Sequence, residues 1–139
     1  MQDLDSVLKS LGATPTILAA VVKAGAPPRG QEWGGLEVAS HLAIADRRYQ
    51  ARFVAALEGR DPGDLGGPGG VGVVGEGSLS DFEDTRARLI AFVRSLSPEQ
   101  LETMVPHPRL GDRTLGEYVR HLVYHDADHL EQAARAATA

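Results

Sequence analysis

Apolar residues recur at steps of three and four along most of the chain, the spacing that places side chains on one face of an α-helix. The longest such segment predicts a helix from about Trp33 to Glu58, with the apolar stripe Val38, Leu42, Ala45, Tyr49, Phe53 and Ala56. No segment alternates apolar and polar residues between hairpin turns, so we predict no sheet. The pattern therefore indicates an all-α protein.

Signals for helix starts and stops divide the N-terminal part of the sequence. Thr14 followed by Pro15 is typical of an N-cap with proline at the first helical position. The helix that begins there is expected to end near Gly25. A shorter helical segment before it, with apolar residues at helical spacing, is expected to stop at Gly12.

Two capping boxes mark the helices of the second half. Ser80 with Glu83 predicts the start of a third main helix, and Thr114 with Glu117 predicts a fourth that continues to the C-terminus. Between them, residues 97–99 (Ser-Pro-Glu) predict a short extra turn. Four main amphipathic helices favour a four-helix bundle, formed by one domain over residues 1–139.

The connection between the second and third helices, Gly59 to Gly77, is dense in glycine. Such a segment buries too little apolar surface to offset its ordering entropy, so we expect an exposed, mobile linker. The alternative is a lid or a partner-contacting loop. Residues 70–75 match G-x-G-x-x-G, but a dinucleotide site also needs a strand before the motif and a helix directly after it. The glycine-rich lead-in does not predict that strand.

Composition narrows the class of protein. The chain has 139 residues, of which 42% are hydrophobic and 24% charged, as in ordinary globular domains. The net charge of −5 and the scattered basic residues argue against a nucleic-acid partner. No apolar run approaches the roughly 18 residues of a membrane span, and the acidic N-terminus does not resemble a signal peptide. There is no cysteine. We therefore expect a cytoplasmic protein without a membrane partner.

Three of the five histidines lie at four-residue spacing on the fourth helix: His121, His125 and His129. A helical wheel places His125 and His129 on the same face as the apolar residues Tyr118 and Leu122, with His121 at its edge. Two inward imidazoles one turn apart can bind one metal ion. They can equally form a polar seam bonded to carboxylates or water.

His41 borders the apolar stripe of the second helix and is the candidate third ligand, unless it faces solvent. Three imidazoles leave metal positions open, as in catalytic sites. Nitrogen ligands suit zinc or nickel first, with iron, copper or manganese as further options. Asp126 and Asp128 are candidates to orient a ligand imidazole or are solvated. His121 is expected to be exposed, and His107, between two prolines, to lie on the surface.

Two segments carry a family resemblance. They are W-x-x-L-E-V-x-x-H-L from Trp33 to Leu42 and G-D-R-T-L-G-E-Y-V-x-H-L-x-x-H-D-x-D-H-L from Gly111 to Leu130. With these segments the chain resembles the DinB/YfiT-like superfamily of small metal-binding four-helix bundles. The resemblance implies His41, His125 and His129 as ligands of a divalent metal. It also implies an up-down-down-up order, with the glycine-rich loop crossing between the second and third helices.

Characterised members of that family are thiol-dependent S-transferases or isomerases that use bacillithiol, mycothiol or glutathione, whereas many others have no known activity. The resemblance thus implies a metal-dependent transferase acting on a small thiol and an electrophile, and a homodimer. Tyr49, Tyr124, Arg47 and Arg48 are acid–base candidates without an assigned role. Two alternatives stay open: a non-catalytic, stress-related metal- or ligand-binding bundle, and a bundle whose histidines are structural.

Overall fold

The computed structural model describes residues 3–25, 33–62, 71–107 and 111–138. Its elements in chain order are α1 (Leu4–Ala24), α2 (Gly35–Leu57), α3 (Ser78–Arg94), the short α4 (Pro98–Leu101), β1 (Met104–Val105), β2 (Arg113–Thr114) and α5 (Leu115–Thr138). The four long helices form the predicted bundle.

The order of the helices is the predicted up-down-down-up. Helix α1 packs beside α5 and α2 beside α3. Ring contacts pair His41 with His129 and Tyr49 with Tyr118, so that α2 runs antiparallel to α5. Helix α3 runs parallel to α2, because Leu42 and Phe82 share one core cluster whereas Phe53 and Leu89 share the other.

The predicted break in the first helix is wrong, because α1 is continuous through Gly12, Thr14 and Pro15. Proline has no N–H, so Pro15 cannot bond the carbonyl of Leu11 four residues earlier. Arg86 Nη1 on α3 donates to that carbonyl instead, at 2.9 Å. Thr14 is not an N-cap: its side chain is buried, and its hydroxyl donates to Asp126 Oδ2 at 2.6 Å.

The capping box predicted at the start of α3 is also wrong. The helix begins at Ser78, after Gly77, and the Ser80 hydroxyl donates to the Gly77 carbonyl. The short turn is confirmed as α4, which has a capping box between Ser97 and Gln100.

The predicted cap of α5 is confirmed by one hydrogen bond, in which the Glu117 N–H donates to the Thr114 hydroxyl at 3.1 Å.

The absence of any sheet is a further prediction that the structure corrects. Strands β1 and β2 form a two-residue antiparallel ladder, with Met104 opposite Thr114 and Val105 opposite Arg113. Two residues are too few for an alternating pattern to be visible in a sequence. The ladder leads directly into α5, whose first N–H, from Leu115, donates to the Thr103 carbonyl.

Part of the glycine-rich connection lies against α2. The Ser40 hydroxyl donates to the Val71 carbonyl, and Gly72 takes a positive φ of 59° beside Ile44. Residues 63–70 lie outside the described ranges, so the predicted mobility of the linker stays a prediction. Val71 to Gly75 form no helix, and α3 begins only at Ser78.

The core consists of two apolar clusters. One contains Val7, Leu8, Leu11, Phe53, Leu89, Val93, Val105, Leu115, Tyr118, Val119 and Leu122. The other contains Leu18, Val38, Ala39, Leu42, Ala43, Phe82 and Ala133. On each long helix, the residues of the two clusters are separated by buried polar side chains. We call these the buried polar layer: Thr14, Asp46, Thr85, Arg86 and Asp126.

Helix α1 is long and apolar enough to cross a membrane by length and composition alone, contrary to the expectation that no segment is. The core helix of a soluble protein and a signal sequence near an N-terminus both pass the same test. Here α1 buries Val7, Leu8, Leu11 and Leu18 in the bundle. It also contributes Thr14 to the buried polar layer.

Candidate metal centre

The three histidines singled out in the sequence meet between α2 and α5. One ring nitrogen from each of His41, His125 and His129 lies within 4.8 Å of the other two. The ring centroids are 4.6 Å apart for His41–His129 and for His125–His129, and 5.8 Å apart for His41–His125. This follows from the helix geometry, because His125 and His129 are one turn apart and face the antiparallel α2.

Two aromatic rings flank this cluster, which we call the histidine triad. Trp33, just before α2, lies 4.9 Å from the His41 ring and is stacked on His129 at 6.1 Å. Tyr49, two turns after His41, meets His125 edge-on at 6.1 Å. All three histidines are half-buried. The triad is therefore shielded on two sides but keeps access to solvent.

Burial lowers the pKa of His125 to about 4, with a further contribution from the neighbouring His129. An imidazole must be neutral to act as a metal ligand. At neutral pH, His125 is therefore already in the ligand form. His129 has a fixed partner, because its Nδ1 lies 2.9 Å from Gln132 Oε1 one turn later. This contact orients the ring and leaves Nε2 available.

Neither nearby aspartate orients an imidazole by a hydrogen bond. Asp126 is buried and turns away from the triad. Its carboxylate accepts hydrogen bonds from Arg86 and Thr14 instead. Asp128 is exposed. Asp126 is therefore neither an orienting residue nor solvated, because its partner is a guanidinium on α3, whereas Asp128 agrees with the alternative of a solvated carboxylate.

The other two histidines lie outside the triad. His121 is half-buried rather than exposed, one turn before His125. His107 is half-buried at the surface, with its ring 6.0 Å from that of Tyr118. Among the acid–base candidates, Tyr49 approaches the triad, whereas Tyr124 is 70% exposed. Arg47 pairs with Asp81 on α3.

The residue that sequence reasoning missed is Arg86, which is only 2% exposed at the centre of the buried polar layer. Its Nε and Nη2 donate to the two carboxylate oxygens of Asp46 at 3.0 and 3.1 Å. Its Nη1 and Nη2 donate to those of Asp126 at 2.5 and 2.9 Å. With the Leu11 carbonyl, these bonds use all five donors of the guanidinium.

A signal for this layer exists in the sequence. Arg86 lies four residues after Phe82 and three before Leu89, so it occupies the apolar stripe of α3. Asp126 falls next to Leu115 on the helical wheel of α5, close to its core face. A charged residue on a core-facing stripe indicates a buried ion pair.

The donor set of the triad fits a divalent metal ion. Zinc or a similar ion takes imidazole nitrogens at about 2.0–2.1 Å, which places the three nitrogens about 3.4 Å apart. Nitrogens within 4.8 Å of one another reach that geometry when each ring moves by about 1 Å. Three ligands leave at least one position for water or substrate.

The comparisons with known proteins agree with this geometry. A family model described as the DinB superfamily matches residues 23–133. The chain belongs to the DinB superfamily.

Among solved structures, this DinB protein is similar to YfiT from Bacillus subtilis, with a TM-score of 0.73 and 21% sequence identity. The match covers 97% of this chain and 86% of that one. YfiT is described as a probable metal-dependent hydrolase with an unusual four-helix bundle topology. At this identity the likeness shows the fold alone. No curated protein matches the sequence.

Proposed function

We propose that the protein is a divalent-metal-dependent S-transferase that joins a low-molecular-weight thiol, of bacillithiol, mycothiol or glutathione type, to an electrophile. The observation that carries the proposal is the convergence of His41, His125 and His129 within 4.8 Å of one another. Three neutral nitrogen donors suit zinc or nickel, and also iron or manganese. The positions they leave open are where a substrate would bind.

When bound, a divalent metal supplies a positive charge that favours the deprotonated, nucleophilic form of a thiol. The thiol proton leaves to solvent, the sulfur bonds to the electrophilic carbon, and the leaving group departs. The chain's own residues prepare the site for this chemistry. Gln132 fixes the ring of His129, and Trp33 and Tyr49 limit the access of water from two sides.

A metal-dependent hydrolase is the second candidate, and the description of YfiT favours it. In that reaction, water takes the place of the thiol at the open position. Asp126 is not available as a general base for that water, because Arg86 and Thr14 occupy its carboxylate. A divalent metal lowers the pKa of a bound water and of a bound thiol alike, so assays with both classes of substrate decide between the two reactions.

The deciding experiment begins with protein purified without a nickel column. Its metal content is measured, and the metal-loaded protein is assayed with the three thiols and chromogenic electrophiles, and separately with activated esters. Thiol conjugation that requires the metal supports the proposal. Ester hydrolysis without thiol conjugation favours the hydrolase. Metal binding without either reaction favours a non-catalytic, stress-related binding bundle, and no metal binding would overturn the metal centre.

We further propose that the protein is a cytoplasmic homodimer. Helix α1 supports a dimer because its outer face is rich in alanine and includes Ile17, a large apolar residue that is 47% exposed. Light scattering at several protein concentrations tests this, with the mass of two chains as the expected result. The mass of a single 14.8 kDa chain throughout would contradict it.

A further inference from the structure

Arg86 connects the two helices that carry the histidine triad. Asp46 lies on α2, five residues after His41, and Asp126 lies on α5, directly after His125. The guanidinium makes two hydrogen bonds to each carboxylate. One rigid, planar group therefore sets the separation of α2 and α5 at a level next to the triad.

The same contacts also fix the rotation of α5. Asp126 accepts three hydrogen bonds, two from Arg86 and one from Thr14 on α1. Consecutive residues of a helix point about 100° apart, so the direction of Asp126 determines the direction of His125. A rotation of α5 by 20° would move an imidazole nitrogen by roughly 2 Å, because it lies about 5–6 Å from the helix axis. In a well-formed metal site, each metal–ligand distance deviates from its usual value by only about 0.2 Å.

We propose that Arg86 is a positioning residue for the metal centre: by bridging Asp46 and Asp126 it holds α2 and α5 at the distance and rotation at which His41, His125 and His129 converge. The proposal rests on the proposed metal-binding function. Arg86 does not touch the triad through any described hydrogen bond and acts through the two aspartates.

Arginine is required for this role because of its shape. The planar guanidinium presents five donors, enough for two carboxylates and the Leu11 carbonyl. Lysine presents a point charge with three donors and cannot grip two carboxylates in this way. The ring of Phe82 lies under the guanidinium, 4.9 Å from its carbon, and holds its plane.

The test compares Arg86→Lys with Arg52→Lys. Arg52 is also buried, but its Nη1 donates to the Pro106 carbonyl, next to β1. Zinc affinity and the visible spectrum of the Co²⁺-substituted protein are measured below the melting temperature of each variant. We expect Arg86→Lys to weaken zinc binding by about 10- to 100-fold and to change the Co²⁺ bands. Arg52→Lys should leave both unchanged, even if it destabilises the fold equally.

A metal-free measurement separates this proposal from the proposed function. Because the chain has no cysteine, exposed Ala51 on α2 and Glu117 on α5 can be replaced by cysteine and spin-labelled without other reactive thiols. We expect Arg86→Lys to shift or broaden the α2–α5 distance distribution in the metal-free protein. If Arg86→Lys does not fold, Asp46→Asn, which keeps the Arg86–Asp126 pair, replaces it and should give a smaller change of the same kind.

The positioning role would be overturned if Arg86→Lys kept the zinc affinity, the Co²⁺ spectrum and the α2–α5 distance of the wild type. A wild-type protein that binds no metal would overturn the proposed function alone, because the distance measurement still decides whether Arg86 positions the two helices.

Discussion

The backbone carbonyl of Leu11, which Pro15 leaves without its helical partner, accepts a hydrogen bond of 2.9 Å from Arg86. An interior proline usually disrupts a helix because it removes this bond and crowds the preceding turn. Here the unpaired carbonyl becomes an acceptor for a buried guanidinium from α3. The proline in α1 and the buried polar layer are therefore parts of one arrangement.

Replacement of Pro15 by alanine should stabilise the protein by about 1 kcal/mol, because the new N–H can also bond the Leu11 carbonyl, which has two lone pairs. Urea unfolding measures the change. The cost of Arg86→Lys should then be smaller in the Pro15→Ala background than in the wild type, by about 0.5–1 kcal/mol in a double-mutant cycle. Strictly additive effects would show that Pro15 and Arg86 are not coupled through this carbonyl.

Loss of a triad ligand should abolish tight metal binding. His125→Ala removes one of three nitrogens and should lower zinc affinity at least about 100-fold. The matched control is His121→Ala, one turn earlier on α5 and outside the triad, which should bind like wild type. Calorimetric titration of metal-free protein with zinc checks both. Equal losses in the two variants would mean that the ligand set is assigned incorrectly.

The stability of the metal-free protein should depend on the protonation of Asp46. Burial raises the pKa of Asp46 from 3.8 to about 6 in spite of Arg86, because one cation cannot neutralise two buried carboxylates. The folded state thus binds this proton more tightly than the unfolded chain. The contribution of this bound proton to the free energy of unfolding is fully present below pH 4 and is lost as the pH rises through 6.

Asp46→Asn removes this titration and provides the comparison. Between pH 4 and pH 7 in the presence of a chelator, the unfolding free energy of the wild type should fall relative to that of Asp46→Asn. The expected relative fall is on the order of 1–3 kcal/mol. A difference that stays constant, or that grows in favour of the wild type at pH 7, would show that the ion pair with Arg86 outweighs the burial of Asp46.

Tyr118 carries a buried hydroxyl that has no hydrogen-bond partner among the residues that the structure describes. Burial raises the pKa of this phenol to about 12. Tyr118→Phe should therefore stabilise the protein by on the order of 1 kcal/mol, because it removes an unsatisfied polar group and keeps the ring. Thermal and urea unfolding measure the effect. A clear loss of stability would instead reveal that the hydroxyl bonds a water molecule or a ligand in solution.

The His125–His129 pair could be predicted because its signal is local, whereas His41, distant along the chain, was assigned from its position beside the apolar stripe of α2 and from the family resemblance. His125 and His129 lie one turn apart on a stripe that also carries Tyr118 and Leu122. The Arg86 bridge was missed because its carboxylate partners lie 40 residues away in either direction along the chain. No local pattern records such a pairing, and only the position of Arg86 on an apolar stripe hints at it.

The error in α1 has a related cause. Gly12 and Pro15 are local signals for a helix boundary. The donor that makes an unbroken helix possible is Arg86, 75 residues from the Leu11 carbonyl it serves. Tertiary contacts therefore overrode local propensity here, whereas at Thr114 and Ser97, where the cap bonds are local, the prediction of a helix start held.

The packing of Trp33 over His41 and His129 provides an optical probe of the site. Trp33 is the only tryptophan in the chain, so all indole emission originates beside the triad. Paramagnetic Co²⁺, Ni²⁺ or Cu²⁺ held by these rings should quench that emission, whereas zinc should change it without such quenching. Occupancy of the centre can thus be followed by fluorescence in the unlabelled protein, during titration, during competition with chelators and during turnover.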